Sequence, residues 1–216
     1  MMSLFISIDG GDSCGKSTQI AILANWLRQK NYDVFTCRDP GSTRLGEAIR
    51  TILLNRYDLD ICRMSETLLF MAARAQMLKE IILPELKLGK IVLTDRFFLS
   101  TLVYQGYAGQ IPIDDIEQIG KMVLGKTVPD IDFILDVPLE IAEKRRQNRE
   151  KDRMEKMDRI YHKQVRQGFL THAHLNHERF VVIDASQSVD TIAEKIRQVV
   201  EKKLEDKRKP EGTKSF

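Results

Sequence analysis

Residues 4–17 of this 216-residue chain read LFISIDGGDSCGKS, and this stretch decides the fold. The apolar run at residues 4–8 is nearly continuous rather than alternating, which is typical of a strand covered on both faces in a parallel sheet. Residues 10–17 have the pattern G-x-x-x-x-G-K-S of a phosphate-binding loop. An amphipathic helical pattern begins next, at Gln19–Lys30. The loop therefore lies between a buried strand and a helix, which is the context in which such a loop binds a nucleotide.

The residue types of this loop suit a triphosphate and its metal ion. Glycines let the backbone curl so that successive N–H groups point inward at phosphate oxygens, and the helix N-terminus adds partial positive charge. We expect Lys16 to reach the β- and γ-phosphates of ATP, and the Ser17 hydroxyl to bind Mg²⁺. The expected nucleotide contacts are Gly10, Gly11, Asp12, Ser13, Cys14, Gly15, Lys16, Ser17 and Thr18. The alternative is a strand–turn–helix whose glycines are there by chance.

Apolar, β-branched runs alternate with helical patterns along the rest of the chain. The predicted strands are Leu4–Ile8, Tyr32–Cys37, Ile91–Thr94, Phe133–Val137 and Arg179–Ile183. The predicted helices are Gln19–Lys30, Arg44–Leu54, Met64–Leu83, Ile113–Leu124, Leu139–Asn148, Glu155–Leu175 and Val189–Leu204. This alternation predicts an α/β fold, a doubly wound five-stranded parallel sheet of the P-loop NTPase type flanked by helices. We expect the third helix to stop or kink at Pro84.

Two charged residues follow the third predicted strand, at the sheet edge where such folds bind ligands. Asp95 can complete the Mg²⁺ shell opposite Ser17, and Arg96 can grip a phosphate with two parallel hydrogen bonds. The competing interpretation is a surface ion pair. Asp136 is a second acid after an apolar run, but the proline at position 138 favours a structural turn there.

Composition limits the other partners of the chain. The net charge of +3 and the pI of about 8.7 are only mildly basic, which argues against nucleic-acid binding. No apolar run is long enough to span a membrane, and the N-terminus lacks signal-peptide features. The cysteines at positions 14, 37 and 62 match no metal or CxxC pattern, which favours free thiols in a reducing cytoplasm. We expect one domain at residues 1–204 and a solvated tail at 205–216.

Four further segments narrow the class of P-loop protein, since the chain has no NKxD motif of a GTPase. They are RDPGST at 38–43, FMAAR at 70–74, DRFFLSTLVYQG at 95–106 and DRME at 152–155. In this order, after the phosphate loop, they resemble the thymidylate kinases, a family of P-loop nucleoside-monophosphate kinases, over about residues 4–200. The resemblance implies a homodimeric cytoplasmic enzyme that phosphorylates dTMP to dTDP with ATP and Mg²⁺.

The resemblance also implies roles for individual residues. Phe70 would stack on the thymine ring and Arg74 would hydrogen-bond the base, and both lie on one helix face because they are four residues apart. Arg96 would bind the 5′-phosphate of the acceptor. The remaining substrate contacts would be Arg38 near the phosphate, Ser100 or Thr101 with Gln105 at the base edge, and Tyr104 under the sugar. Taken without the family, the sequence favours a plain core position for Phe70, and only the match to the family's order of segments reverses this.

Residues 144–158 mix many basic residues with interleaved acidic ones. Arg145, Arg149 and Arg153 recur every four residues, so a helix here would carry one basic stripe. A solvated helix surface is the alternative. By the resemblance this segment is a lid that supplies the arginine missing from the phosphate loop, where Ser13 stands at the position that some family members fill with arginine. The expected catalytic residues are Lys16, Asp12, Arg96, Arg153 and Arg149.

Two other functions remain compatible with the sequence. The first is a related kinase that acts on another nucleoside monophosphate or on a deoxynucleoside. The second is an ATP-binding regulatory switch that transfers no phosphoryl group to a nucleotide. Phosphoryl transfer to dTMP would need no covalent enzyme intermediate, because the acceptor phosphate is already largely ionised near neutral pH.

Overall fold

The computed structural model describes residues 3–146, 152–176 and 179–208. Its strands are β1 (Leu4–Gly10), β2 (Val34–Arg38), β3 (Ile91–Asp95), β4 (Ile131–Asp136) and β5 (Phe180–Asp184). Its α-helices are α1 (Lys16–Gln29), α2 (Arg44–Asn55), α3 (Arg63–Met77), α4 (Leu83–Lys87), α5 (Phe98–Thr101), α6 (Ile113–Leu124), α7 (Leu139–Arg146), α8 (Arg159–Leu175) and α9 (Val189–Arg208). Two π-helical segments, Leu78–Ile82 and Leu102–Tyr107, follow α3 and α5.

The five strands form one parallel sheet in the order β2-β3-β1-β4-β5. The three nearly continuous apolar runs of the sequence are the three central strands, and nearly every residue of those strands is buried. The edge strands β2 and β5, which have one neighbour each in the sheet, are more exposed, with one buried residue in β2 and two in β5. The predicted doubly wound α/β fold is confirmed.

Helices cover both faces of the sheet. One face packs against α1 and α9 through a core that includes Ile6, Leu23, Phe133 and Ile196. The other face packs against α3, α5 and α8, and this layer lies beneath the site described below. Within the described ranges, no helix combines the length and the apolar character that crossing a membrane requires.

The helix predicted to stop or kink at Pro84 continues through it to Lys87. The π-helical segment just before it accommodates the proline. In this segment the Leu83 N–H donates to the Leu78 carbonyl five residues earlier. The Pro84 ring lies in the first turn of α4, where the missing backbone N–H costs little.

The boundaries of α8 and α9 also differ from prediction. Helix α8 begins at Arg159 rather than Glu155, because the Asp158 side chain caps it by accepting from the Tyr161 N–H at 2.7 Å. Helix α9 continues to Arg208, and Lys207 there forms a 2.8 Å ion pair with Asp130. Helix α7 is described to residue 146, and the last two residues of the predicted helix, 147 and 148, lie outside the described residues.

Candidate active site

The phosphate loop joins β1 to α1 through residues with positive φ angles. Gly10 has a φ of 134°, and a Cβ there would stand 2.5 Å from the Leu135 carbonyl oxygen, so only glycine fits. Gly15 has a φ of 100° and precedes the first turn of α1, which carries no acidic residue and has no side-chain cap from any described residue. The N-terminal N–H groups of α1 therefore suit a phosphate group.

Lys16 and Ser17 lie where the motif predicts them. The Lys16 ammonium folds over the loop and donates to the Gly11 carbonyl at 2.7 Å and to the Gly10 carbonyl at 3.3 Å. The Ser17 hydroxyl donates to Asp95 Oδ2 at 2.8 Å, across the gap between α1 and the end of β3. The Ser17 hydroxyl oxygen and the Asp95 carboxylate oxygen suit Mg²⁺, which prefers hard oxygen ligands. The pair predicted to hold the metal is thus adjacent in space although its members are far apart in sequence.

One cavity of about 470 Å³ opens at the carboxyl edge of the sheet. It brings together most of the predicted site residues: Asp12, Ser13, Gly15, Lys16, Ser17, Thr18, Arg38, Phe70, Arg74, Asp95, Arg96, Ser100, Thr101, Tyr104 and Gln105. It is also lined by residues outside the predicted site list: Asp39 and Pro40 of the RDPGST segment, Arg145, Asp152, Met154 and Glu155 of the predicted lid, and Arg50 and Leu54, which belong to none of the segments singled out in the sequence. The two groups of predicted residues, for nucleotide and for acceptor, share this one space.

Arg96 is the centre of a charged cluster in the cavity wall. Its guanidinium donates to Asp12 Oδ1 at 2.6 Å, to the Gly10 carbonyl at 2.7 Å, and to Ser100 Oγ and Tyr104 Oη at 3.0 Å each. The guanidinium carbon also lies 4.8 Å from the centre of the Tyr104 ring. Arg96 has a φ of 69°, a strained value for a non-glycine residue that is typical of functional sites.

Burial shapes the charges of this cluster. Burial on its own would lower the pKa of Arg96. The interactions with Tyr104 and Asp12 raise this pKa by more than burial lowers it, so the pKa of Arg96 is held well above its ordinary value. Burial raises the pKa of the Tyr104 phenol well above its ordinary value, against the opposing effect of Arg96. The cluster therefore keeps a permanent cation and a neutral phenol in contact with the cavity, a combination suited to binding a phosphate dianion.

The base end of the cavity is formed by α3. Phe70 lines it, and Arg74 on the same face is almost fully buried. Arg74 forms an ion pair with Asp39 and donates to Thr101 Oγ1 at 2.9 Å. The second Asp39 oxygen, Oδ1, is buried and has no hydrogen-bond partner among the residues that the structure describes. Burial, partly offset by Arg74, raises the pKa of Asp39.

Gln105 is oriented by a carboxylate that sequence reasoning missed. Its Nε2 donates to Glu66 Oε1 at 2.9 Å. Because a carboxylate only accepts, the amide must turn its NH₂ group toward Glu66, which leaves Oε1 as the acceptor available to the cavity. Glu66 is fully buried and also accepts from Arg153 and, at 3.4 Å, from Arg63. The signal available in the sequence was an acid four residues before Phe70 on the same helix, and so on the same helix face.

Arg153 contacts this acid rather than the phosphate loop. Its Nε donates to the Leu53 carbonyl at 2.7 Å and its backbone N–H to the Leu54 carbonyl at 3.1 Å, so the lid is tied to the end of α2. Arg153 is not among the residues that line the cavity. Arg145, from the same predicted stripe, does line it and donates to the Ala185 carbonyl at 2.9 Å. Arg149 lies outside the described residues.

Three loop residues predicted to contact the nucleotide stand behind the cavity wall. Gly10 offers its carbonyl to Lys16 and Arg96, Cys14 is buried in the core beneath the loop, and Gly11 faces a smaller cleft on the far side of Asp12.

Two arginines face each other at the mouth of the cavity. Arg38 pairs with Glu47 at 2.8 Å, and half-buried Arg50 donates to the Pro40 carbonyl at 2.8 Å. Burial and then the nearby Arg38 charge lower the pKa of Arg50. An anion between these two cations would relieve their repulsion. No motif in the sequence marks Arg50, because it lies on the amphipathic helix α2 after the RDPGST segment.

A phosphate loop on a five-stranded parallel sheet, a hydroxyl–carboxylate pair beside it and an arginine cluster in the same cavity define a P-loop kinase of small molecules. The comparisons with known proteins narrow this class. A family model for thymidylate kinase matches residues 8–196. The chain belongs to the thymidylate kinase family.

Relatives of this family match the chain over nearly its whole length. A thymidylate kinase of Symbiobacterium thermophilum is 41% identical over 212 residues, which cover 98% of this chain and 99% of the relative. A thymidylate kinase of Caldanaerobacter subterraneus is 40% identical and covers 94% of this chain and 98% of the relative. A crystal structure of thymidylate kinase from Ehrlichia chaffeensis matches with a TM-score of 0.75 at 33% identity, and covers 93% of this chain and 99% of that one.

Proposed function

We propose that this enzyme transfers the γ-phosphoryl group of ATP to the phosphate of dTMP, giving ADP and dTDP. The observation that carries the proposal is the shared cavity: the phosphate loop and the Arg96 cluster open into the same space of about 470 Å³, so a donor and an acceptor phosphate can meet there. In-line transfer needs positioning and charge neutralisation rather than covalent catalysis.

The donor side uses the loop and the start of α1. The N–H groups of residues 13–18 would bind the phosphates, and Lys16 would exchange its loop carbonyls for β- and γ-phosphate oxygens. Ser17 and Asp95 would hold Mg²⁺, directly or through water, and the ion would neutralise charge between the β- and γ-phosphates.

The acceptor side uses Arg96 and the residues that hold it. Asp12 and Tyr104 fix the plane of the guanidinium, and the dTMP phosphate would take over N–H groups that now donate to protein oxygens. Phe70 would stack on the thymine ring, Arg74 would donate to a base carbonyl, and Gln105 Oε1 would accept from the N3–H. Ser100, Thr101 and Arg38 complete the acceptor contacts.

A lid arginine would neutralise the migrating phosphoryl group, a contribution of about 10³–10⁵ in rate in related transfers. Arg153 is the first candidate, and it would have to leave Glu66 to act. Arg145 is the second candidate, because its side chain lines the cavity. Arg149 stays a prediction from the basic stripe. Comparing kcat of Arg153→Ala and Arg145→Ala decides between the first two.

We further infer a cytoplasmic homodimer. The support for a two-fold contact is the outer face of α3, where Met64 and Leu68 leave 40% and 48% of their surface exposed. Light scattering on the purified chain, repeated with Leu68→Glu, tests this inference, which fails if the native chain is monomeric at micromolar concentration.

The decisive experiment is a panel of acceptors with ATP and Mg²⁺. We expect kcat/KM for dTMP to exceed that for dCMP, AMP and thymidine. Higher efficiency with one of these would assign the chain to a neighbouring kinase activity. ATP binding without phosphorylation of any nucleotide would instead favour a regulatory switch.

A further inference from the structure

A buried acid on β4 has no part in the chemistry described so far. The Asp132 side chain is almost fully buried and lies on the face of the sheet that carries the acceptor site. Its Oδ1 contacts Ser7 Oγ and its Oδ2 accepts from Arg179 Nε. Ser7 and Asp132 are register partners on the neighbouring strands β1 and β4, so the contact is built into the sheet.

A chain of hydrogen bonds leads from this acid to the acceptor site. Ser7 Oγ also lies 3.0 Å from Asp9 Oδ2. The other Asp9 oxygen accepts from Ser100 Oγ at 2.5 Å, and Ser100 Oγ accepts from Arg96 Nη1 at 3.0 Å. Asp9 therefore holds the segment after β3 that carries Arg96.

The number of available protons limits which of these contacts can be hydrogen bonds. The Ser7 hydroxyl has one proton, yet it contacts two carboxyl groups, so both contacts are hydrogen bonds only when one carboxyl group is protonated. Asp9 already accepts on its other oxygen from Ser100 and, at 3.4 Å, from the Phe97 N–H. The proton is assigned to Asp132, because burial disfavours the charged form of that acid.

The surroundings of Asp132 agree with this assignment. Burial raises its pKa to about 6, against the opposing effect of Arg179 and with a smaller upward contribution from the Asp9 charge. Arg179 approaches from the start of β5 and Asp9 from β1. On α8, His172 meets the Phe180 ring edge to face with ring centres 5.1 Å apart. Burial, followed by the Arg179 charge, lowers the pKa of His172, which favours its neutral form.

We propose that Asp132 is a positioning residue for Arg96: when protonated it donates to Ser7, so that Ser7 donates fully to Asp9, and Asp9 holds Ser100 and Arg96 in the geometry that binds the acceptor phosphate. When ionised, Asp132 competes with Asp9 for the single Ser7 proton and places a second negative charge next to it. The inference rests on the proposed role of Arg96 in binding dTMP.

The test compares Asp132→Asn with the native enzyme. An asparagine amide has the shape of the acid, always donates to Ser7 and never ionises, so it mimics the protonated state. We expect the ratio of the native KM for dTMP to that of the variant to be near one at pH 5.5. At pH 8 the ratio should rise to about threefold to tenfold, the range typical of coupling through buried networks. The ionisation of dTMP itself cancels in this ratio, and KM for ATP should not follow it.

Two controls separate positioning from structure. Asp130→Asn alters another acid just before the same strand, one that accepts from the Phe5 N–H at 2.8 Å and pairs with Lys207 but does not touch the chain of hydrogen bonds. It should leave the ratio at one at every pH. In a Ser7→Ala background, Asp132→Asn should also leave the ratio at one, because the link is cut. If Asp132→Asn does not fold, Ser7→Ala alone serves as the test. It should remove the part of the pH dependence of the KM for dTMP that arises from Asp132, and leave the part that arises from the ionisation of dTMP.

A ratio that stays at one at both pH values in a folded Asp132→Asn enzyme overturns the inference. So does a Ser7→Ala background in which the ratio still rises with pH. A native enzyme that does not phosphorylate dTMP at all refutes the proposed function instead, so the two failures are distinguishable.

Discussion

Replacing Arg74 by methionine removes the cation from the most deeply buried ion pair at the site. Both side chains of the Arg74–Asp39 pair are 1% exposed. Methionine has a similar length and fills the space between apolar neighbours, so the change removes charge and hydrogen bonds rather than volume. Asp39 is left buried with no cation in contact, and Thr101 loses a donor.

The expected loss follows from the fate of Asp39. Removing one partner of a buried pair costs about 3–5 kcal/mol of folding free energy. Asp39 can escape part of this cost by binding a proton, because its folded-state pKa, already raised by burial, rises further without Arg74. The native state then binds more protons than the unfolded chain above pH of about 4, so the free energy of unfolding falls as pH rises. We expect the loss to be about 3–5 kcal/mol at pH 8 and about 2 kcal/mol smaller at pH 5.5.

Urea unfolding of the native chain and of Arg74→Met at both pH values measures this loss. The double variant Arg74→Met/Asp39→Asn is the matched control, since it removes the stranded charge and should recover most of the stability at pH 8. In kinetic assays under conditions where it is folded, Arg74→Met should raise KM for dTMP much more than KM for ATP. A stability loss below about 1 kcal/mol, or one equal at the two pH values, would show that Asp39 does not depend on Arg74 and refute the reasoning.

Three further changes test the donor side and the lid. Arg153→Ala should cut kcat strongly and leave the Kd for ATP nearly unchanged, whereas Arg159→Ala, at an exposed ion pair, should change neither; an unchanged kcat would exclude Arg153 from catalysis. Ser17→Ala should raise the Mg²⁺ concentration needed for half-maximal rate in a titration, and an identical titration curve would argue against its role as a metal ligand. Gly10→Ala should destabilise the fold by more than about 2 kcal/mol in thermal unfolding, because its Cβ would meet the Leu135 carbonyl at 2.5 Å; a stable variant would disprove that contact.

The fold could be predicted from the sequence because its signals are local. Each central strand is a short apolar run, and the phosphate loop is one contiguous motif between a strand and a helix. The adjacency of Ser17 and Asp95 was also predictable, because the carboxyl ends of parallel strands meet at one edge of the sheet.

The rest of the site depends on contacts between distant residues. Asp132 was left outside the predicted fourth strand because a charged residue before FILDV resembles the end of an apolar run, and only its pairing with Ser7 shows that it is buried inside the strand. The contact of Arg153 with Glu66 joins residues 87 positions apart, and no spacing rule predicts it. Arg50 lies in an ordinary amphipathic pattern, so its place at the cavity mouth emerges only from the packing of α2.

The π-helical segment Leu102–Tyr107 affects how this enzyme tolerates changes in chain length. The Ala108 N–H bonds the Val103 carbonyl five residues earlier at 3.0 Å, so the turn holds one more residue than an α-turn. Deleting a residue here would regularise the helix and rotate every side chain before or after it by about 100°. Tyr104 and Gln105 would no longer both face the cavity, so we expect natural variants of this stretch to substitute residues rather than to shorten it.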